Sequence, residues 1–291
     1  MSHLDEFDVF DVHQHVGKTM QTGGDDGAKA ESGVRLDPEE LKRRLETMEV
    51  LGIQQAMVSP GYSYNRADGI AATRRQNDAI AAYRDAMPDR FPIAAGVVEP
   101  RDEAAGFAEI DRMSDELGLA AINLHTQHQG VGIDDPWVVR YLDRAGERGM
   151  VPFVHAADDC WQESLWSLAK VARTLLDLTI VALEPFLTLE GQRSAPFFAE
   201  LAPNLLFDTA SCTLLGMLKA FVKQVGAERV VYGSQTYSYS RPPRPGLGKQ
   251  ALVRHKIAGW DLSHEERAAI LGGNARRLFG AFLFKSDFER S

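Results

Sequence analysis

Cysteine is scarce in this chain of 291 residues: there are two, Cys160 and Cys212. They stand far apart and form no metal motif, so neither a disulfide framework nor a thiolate metal site is expected. A reducing cytoplasm is the expected compartment. No apolar run approaches the roughly 20 residues that a membrane helix needs, so no membrane is expected as a partner. No long basic block occurs and the net charge is −9, which weighs against a nucleic-acid partner. Met1 to Glu6 is polar and acidic, without a signal-peptide pattern. No glycine-rich phosphate loop follows the first β-rich run, which disfavours an open doubly wound sheet. No stretch rich in Pro, Gly or Ser divides the chain, so residues 1–291 read as a single domain.

What is present is a regular alternation. Hydrophobic residues make up 44% and charged residues 25%, as in a soluble globular protein. Short β-rich runs occur near Phe7–His13, Ile53–Ser59, Phe91–Val98, Leu119–His125, Met150–His155, Leu178–Glu184, Asn204–Thr209 and Arg229–Ser234. Helical periodicity lies between them. Asp37-Pro38-Glu39-Glu40 reads as an N-cap, a first-turn proline and acidic residues that complement the helix dipole. Leu41, Leu45, Met48 and Leu51 then mark an apolar face, and Gly52 the stop. Ile70–Met87, Glu103–Leu117, Trp137–Arg148, Trp161–Leu176 and Thr213–Val225 repeat the theme, while the Phe197–Ala202 segment is short. Eight strands alternating with helices predict one distorted (β/α)8 TIM barrel. Gly17–Gly33 is polar and glycine-rich, a long loop after strand one and a lid candidate.

A barrel of this kind places its active site at the C-terminal ends of its strands. Those ends carry His13 and His15, Ser59, Glu99, Asn123 and His125, His155, Glu184, Asp208 and Gln235. His13 and His15 are spaced i, i+2, so both imidazoles leave one face of a strand, which makes half a metal site. His155 ends the apolar run Val151-Pro152-Phe153-Val154, and with the other two histidines at the same mouth it reads as a ligand. Ser59 and Asp208 read as structural strand ends.

Several segments together carry a resemblance. They are Asp11-Val12-His13-Gln14-His15, Leu51-Gly52-Ile53-Gln54-Gln55-Ala56, Asp89-Arg90-Phe91 with Gly96-Val97-Val98-Glu99-Pro100, and Val154-His155-Ala156. Arg229-Val230-Val231-Tyr232-Gly233-Ser234 and Ile270-Leu271-Gly272-Gly273-Asn274-Ala275-Arg276-Arg277-Leu278-Phe279 complete the set. In these the chain resembles the amidohydrolase superfamily, in the branch of aminocarboxymuconate-semialdehyde decarboxylase-like enzymes and related lactonases. The resemblance implies a distorted TIM barrel, often with one divalent metal at its mouth. The implied ligands are His13, His15 and His155, with a strand-eight aspartate. Two positions depart from the pattern. Gln235 stands where the aspartate is usual, and an amide ligates weakly and is no base near neutral pH. Glu184 stands on strand six where a histidine is usual. Asn123 replaces a lysine, which makes a carbamate-bridged two-metal site unexpected.

Three readings stay open. In the first, His13, His15 and His155 hold one divalent metal, Zn²⁺ or else Mn²⁺, with Glu184 as ligand, general base or both. In the second, the metal is absent because of Gln235, and the histidines and Glu184 do acid–base work in a metal-independent lactonase or isomerase. In the third, the barrel is inactive and serves as a binding or scaffold protein. The expected chemistry is hydrolysis of a small carboxylate-bearing lactone, amide or C–C bond substrate, with decarboxylation of an unsaturated or aromatic acid as the alternative. Glu184, His155 and His125 are the catalytic candidates. Asn123, Gln235, Tyr237 and Trp161 are candidates for substrate contact, as are Arg241 and Arg244, which would hold an anionic group or else sit on an exposed loop. A homo-oligomer is expected from the fold.

Overall fold

A computed structural model describes residues 6–17, 33–61, 68–212, 214–238 and 249–283. Nine strands lie parallel in one sheet: β1 (Phe10–Val16), β2 (Gln55–Pro60), β3 (Ile93–Val97), β4 (Ala121–Leu124), β5 (Val151–His155), β6 (Ile180–Leu183), β7 (Leu205–Asp208), β8 (Val230–Val231) and β9 (Thr236–Tyr237). Each pairs with its sequence neighbour from β1 to β8, and β9 pairs with β1 on its other side. Helices alternate with the strands: α1 (Pro38–Leu51), α2 (Ile70–Ala86), α3 (Ala104–Asp115), α4 (Thr126–Gln129), α5 (Pro136–Glu147), α6 (Leu165–Thr174), α7 (Leu189–Leu201) and α8 (Leu215–Val225). Beyond β9 come α9 (Lys249–Ala258), α10 (His264–Ala268) and α11 (Asn274–Leu278). The arrangement is a TIM-like barrel. Where one eighth strand was expected there are two short ones, β8 and β9. Between them Tyr232 O still accepts from Val12 N–H of β1 at 2.9 Å, and Ser234 N–H donates to Asp11.

Local chemistry sets the element ends. Asp37 accepts from Glu39 N–H, Pro38 opens α1, and Gly52 closes it in the left-handed conformation, as expected. α6 is shorter than the Trp161–Leu176 run suggests. Ser164 caps it by accepting from Ser167 N–H, and Trp161 lies in a separate turn before the cap. α7 starts well before Phe197, because Thr188 caps it and Pro196 is carried inside the helix.

Two apolar layers hold the barrel. The larger lies between strands and helices and includes Met48, Ile80, Ile110, Tyr141, Leu168 and Phe207. The smaller fills the barrel interior with Phe10, Val12, Met57, Ile93, Phe153, Val181 and Val231, on which Phe279 packs after α11. Phe279 stacks on Phe153 at 6.1 Å between ring centroids.

The polar part of the fold centres on Arg44 of α1, which is buried and donates to Glu40, Tyr83 Oη, Gln14 Oε1 and His15 O. It ties the first helix to the back of β1 just where the histidines leave the strand. Removing it strands the buried Glu40 carboxylate, although Tyr83 still donates to it. Arg44→Ala is expected to cost about 3–5 kcal/mol in urea unfolding, against about 1 kcal/mol for loss of the Asp37 cap in Asp37→Ala. Equal costs for the two would show that the network is not a support.

Candidate active site

The placement of His13 and His15 depends on a bulge in β1. The strand pairs Phe10 with Gln55 and Asp11 with Ala56, then Gln14 with Val58 and His15 with Ser59, so one extra residue lies between Asp11 and Gln14. Side chains alternate along a strand, and an extra residue exchanges the faces. Phe10 and Val12 point into the apolar interior before the bulge, and His13 and His15 join that interior after it. Asp11 pins the bulge. Its buried carboxylate accepts from His13 N–H at 3.0 Å, Gln14 Nε2 at 2.8 Å, Ser234 N–H at 2.9 Å and Ser234 Oγ at 2.5 Å.

Three buried imidazoles meet at the mouth: His13, His15 and His155 offer ring nitrogens within 4.8 Å of one another. His13 Nε2 and His15 Nε2 are 2.9 Å apart. The outer nitrogens are held from behind. His13 Nδ1 lies 2.6 Å from Asp208 Oδ2, and His15 Nδ1 lies 3.0 Å from Ser59 Oγ, which in turn accepts from Asn123 Nδ2 at 3.2 Å. This corrects the sequence-based reading of Asp208 and Ser59 as plain strand ends: both orient a histidine. Asn123 supports His15 through Ser59. Gly233 permits the approach of β1 to β7, since a Cβ there would lie 2.7 Å from Asp208 Oδ2 and 2.9 Å from His13 Cβ.

A second pair lies alongside, half-buried His125 and buried Glu163. His125 stacks on His155 with ring centroids 3.9 Å apart and planes 10° from parallel, and its Nδ1 is 2.5 Å from Glu163 Oε1. Glu163, which no sequence motif flags, also accepts from Gln127 N–H. Glu184 is buried at the end of β6 and its N–H donates to Asp208 Oδ1 at 2.8 Å. Its carboxylate is outside the three-donor histidine set. The Ser211 hydroxyl reaches both Glu184 Oε1, at 3.3 Å, and Gln235 Oε1, while Gln235 Nε2 donates to Tyr237 Oη at 3.2 Å. Tyr237 also stacks on His15. Trp161 stands on the surface, 73% exposed, and does not wall the cluster. Arg241, Arg244 and most of the Gly17–Gly33 lid candidate lie outside the described residues.

Burial dominates the electrostatics. It pulls His15 and His155 well below the usual imidazole range, helped by the neighbouring histidines. Burial also pulls on His13, but the bond to Asp208 and the charges of Asp208 and Glu184 override it and raise that group. Burial lifts the Glu184 carboxyl to about 7 against the pull of His13, and lifts Glu163 to about 8. Among the described residues no Lys or Arg forms an ion pair with Asp208 or Glu184. The donor set fits a divalent cation. Neutral imidazoles at this spacing can share an ion with ligand distances of about 2.0–2.1 Å, a carboxylate fixes the tautomer of His13, and two buried acids supply countercharge.

The sequence model of the amidohydrolase family matches residues 10–281. The chain belongs to that family. Among solved structures it is similar to 5-carboxyvanillate decarboxylase from Sphingomonas paucimobilis, with 19% identity, 94% of this chain and 99% of the other covered, and a TM-score of 0.68. It is similar to 2,6-dihydroxybenzoate decarboxylase from Rhizobium, with 18% identity, 94% and 99% covered, and a TM-score of 0.66. A third is 5-carboxyvanillate decarboxylase from Novosphingobium aromaticivorans, complexed with manganese and 4-hydroxy-3-methoxy-5-nitrobenzoic acid, with 15% identity, 95% and 97% covered, and a TM-score of 0.69. No curated protein sequence matches the chain. Among the described residues no helix is long and apolar enough to cross a membrane.

Two outcomes follow from this geometry. Asp208→Asn should weaken divalent-metal binding by about 10–100-fold, because the amide no longer fixes the His13 tautomer; calorimetric titration with Mn²⁺ or Zn²⁺ checks it, and unchanged affinity would remove Asp208 from the site. The second concerns pH. An unfolded glutamate titrates near 4.3, and Glu184 and Glu163 are raised to about 7 and about 8 in the fold. Raised values mean stability that is full at acid pH and is lost as pH rises through 7 and 8. Their contribution to Tm should fall from about pH 4 to about pH 8 and then level off, and Glu163→Gln should make that fall shallower by a few degrees. Parallel Tm curves would contradict the assignment.

Proposed function

We propose that the chain is a metal-assisted decarboxylase of a small aromatic or unsaturated carboxylic acid. The observation that carries this reading is a buried acid, Glu184, raised to about 7 beside a set of three imidazole donors. Near neutrality such a group is present in both its acid and its base forms, as a proton donor to carbon must be. The solved relatives that are decarboxylases support the choice over hydrolysis.

His13, His15 and His155 would hold the ion, with manganese favoured over zinc by the manganese found in such relatives. When bound, a divalent ion there supplies Lewis acidity toward the substrate's oxygens. Asp208 keeps His13 in the tautomer whose Nε2 faces the mouth. Glu184 gives its proton to the carbon that bears the carboxylate, the electron pair coming from the π system. The bond to the carboxylate then breaks, its electrons return to the π system, and CO₂ leaves. Glu184 regains a proton from solvent. His125, fixed by Glu163 and stacked on His155, forms the adjoining wall. Arg241 or Arg244 would hold a second anionic group. The expected hydrolysis of a lactone or amide uses the same parts, with Glu184 ionised and acting as a base on water.

The test is a panel of hydroxybenzoates and unsaturated acids, carboxyl-labelled with ¹³C, incubated with the Mn²⁺-loaded protein in D₂O. Release of ¹³CO₂ with one deuterium at the vacated carbon is expected, falling by about 10²–10⁴-fold in Glu184→Gln. Turnover of lactones or amides with ¹⁸O taken from water, and no CO₂ from any acid, would overturn decarboxylation in favour of hydrolysis.

A further inference from the structure

Glu163 carries a buried oxygen that the histidine cluster does not use. Its Oε1 lies 2.5 Å from His125 Nδ1 and accepts from Gln127 N–H, while Oε2 is buried and has no hydrogen-bond partner among the described residues. The residue is 1% exposed, and among the described residues no Lys or Arg forms an ion pair with it. A bare carboxylate oxygen in such a place is costly and calls for a partner. A cation would be one.

Two further donors stand beside it. Asp159, Cys160 and Glu163 each offer a ligand atom, a carboxylate oxygen or the thiol sulfur, all within 4.8 Å of one another. With Oε1 of Glu163 already engaged, Oε2 is the oxygen left for an ion. The segment that carries the three is closed on itself. Asp158 N–H donates to Glu163 O at 3.1 Å, Glu163 N–H donates to Cys160 O at 3.3 Å, and Leu165 N–H donates to Asp158 Oδ1 at 3.3 Å. Asp159 is exposed and Cys160 half-buried, so an ion can reach the set from solvent. Zinc bonds of about 2.3 Å to sulfur and about 2.0–2.2 Å to oxygen can be made from donors this close. The cysteines show no metal motif in the sequence because the other donors here are carboxylates.

We propose that Asp159, Cys160 and Glu163 form a second divalent-metal site, separate from the histidine cluster and selective for zinc-class ions. A thiolate favours such ions, whereas manganese prefers oxygen donors. Binding sends the thiol proton to solvent, since a coordinating thiol is deprotonated. Three anionic donors then face one dication, and the remaining coordination position is left for water. The ion would fasten the segment after β5 to His125 through the two oxygens of Glu163. This site stands independently of the decarboxylase reading.

The test uses Co²⁺ and Cd²⁺ as the probes and needs no turnover. The histidine cluster contains no sulfur, and Cys212 belongs to no candidate ligand set among the described residues. A thiolate-to-metal charge-transfer band therefore reports Cys160. The full-length protein, kept reduced with a phosphine, is titrated with each ion. A band that saturates is expected, retained in His13→Ala and lost in Cys160→Ser. Glu163→Gln and Asp159→Asn should each weaken the binding by at least about tenfold, the least that even a supporting partner of a ligand usually costs. Asp158→Asn removes a charge next door without removing a ligand, and should weaken it much less. Near-ultraviolet circular dichroism establishes folding, and if Glu163→Gln does not fold, the exposed Asp159 decides. No band with either ion, a band that survives Cys160→Ser, or one that grows without saturating, which marks adventitious binding only, would overturn the proposal. Equal weakening by Asp158→Asn and Asp159→Asn would also overturn it, since the effect would then be one of general charge.

Discussion

The site depends on one buried carboxylate. Asp11 gathers four donors from β1 and from Ser234, and so holds an extra residue in the first strand. Burial opposes its ionisation and raises it, while these bonds act in the other direction. The extra residue is what puts Phe10 and Val12 in the apolar interior and still turns His13 and His15 into the same space a few residues later. An uninterrupted strand would have kept one parity from end to end, and either the phenylalanine or the histidines would have faced the wrong layer. Ser234 is the distant half of this clamp, so the junction of β8 and β9 is as much a part of the first strand's geometry as β2 is.

From that clamp the polar layer spreads in order of distance. Asp208 and Ser59 hold the backs of the two β1 histidines, and Asn123 holds Ser59. Glu163 holds His125, which covers His155. Each imidazole of the cluster's face is thus set by a neighbour from another strand or loop, and the neighbours are themselves buried. Arg44 performs the corresponding task for the backbone at His15 O, behind the strand. The site is preorganised in the sense that few rotamers are left to choose.

Much of this was legible in the chain. Alternation of β-rich and helical runs indicated a barrel, because parallel strands buried on both faces read as apolar runs with helices between them. Asp37-Pro38 and Gly52 fixed the ends of α1 because caps are local chemistry. His13, His15 and His155 were readable because histidines ending buried strands are conspicuous. The bulge was harder to see, although its trace is in the sequence: Phe10 and Val12 keep one parity, and His13 and His15 the other. Asp208 and Ser59 looked like ordinary strand ends because their partners lie 195 and 44 residues away, and spacing carries no information about such pairs. Glu163 was invisible for the same reason, lying in a short turn with no periodicity. The start of α7 was missed because Pro196 falls inside the helix, where proline is a poor guide to boundaries.

Phe279 packs against Phe10 and Phe153 at the floor of the barrel. Residues near 10 therefore find their final neighbours only among residues near 279. During synthesis the first strands must wait, with one apolar layer uncovered, while some 250 further residues emerge, on the order of tens of seconds at usual elongation rates. The barrel's kinetic vulnerability is thus placed at its floor, opposite the mouth where the histidines cluster.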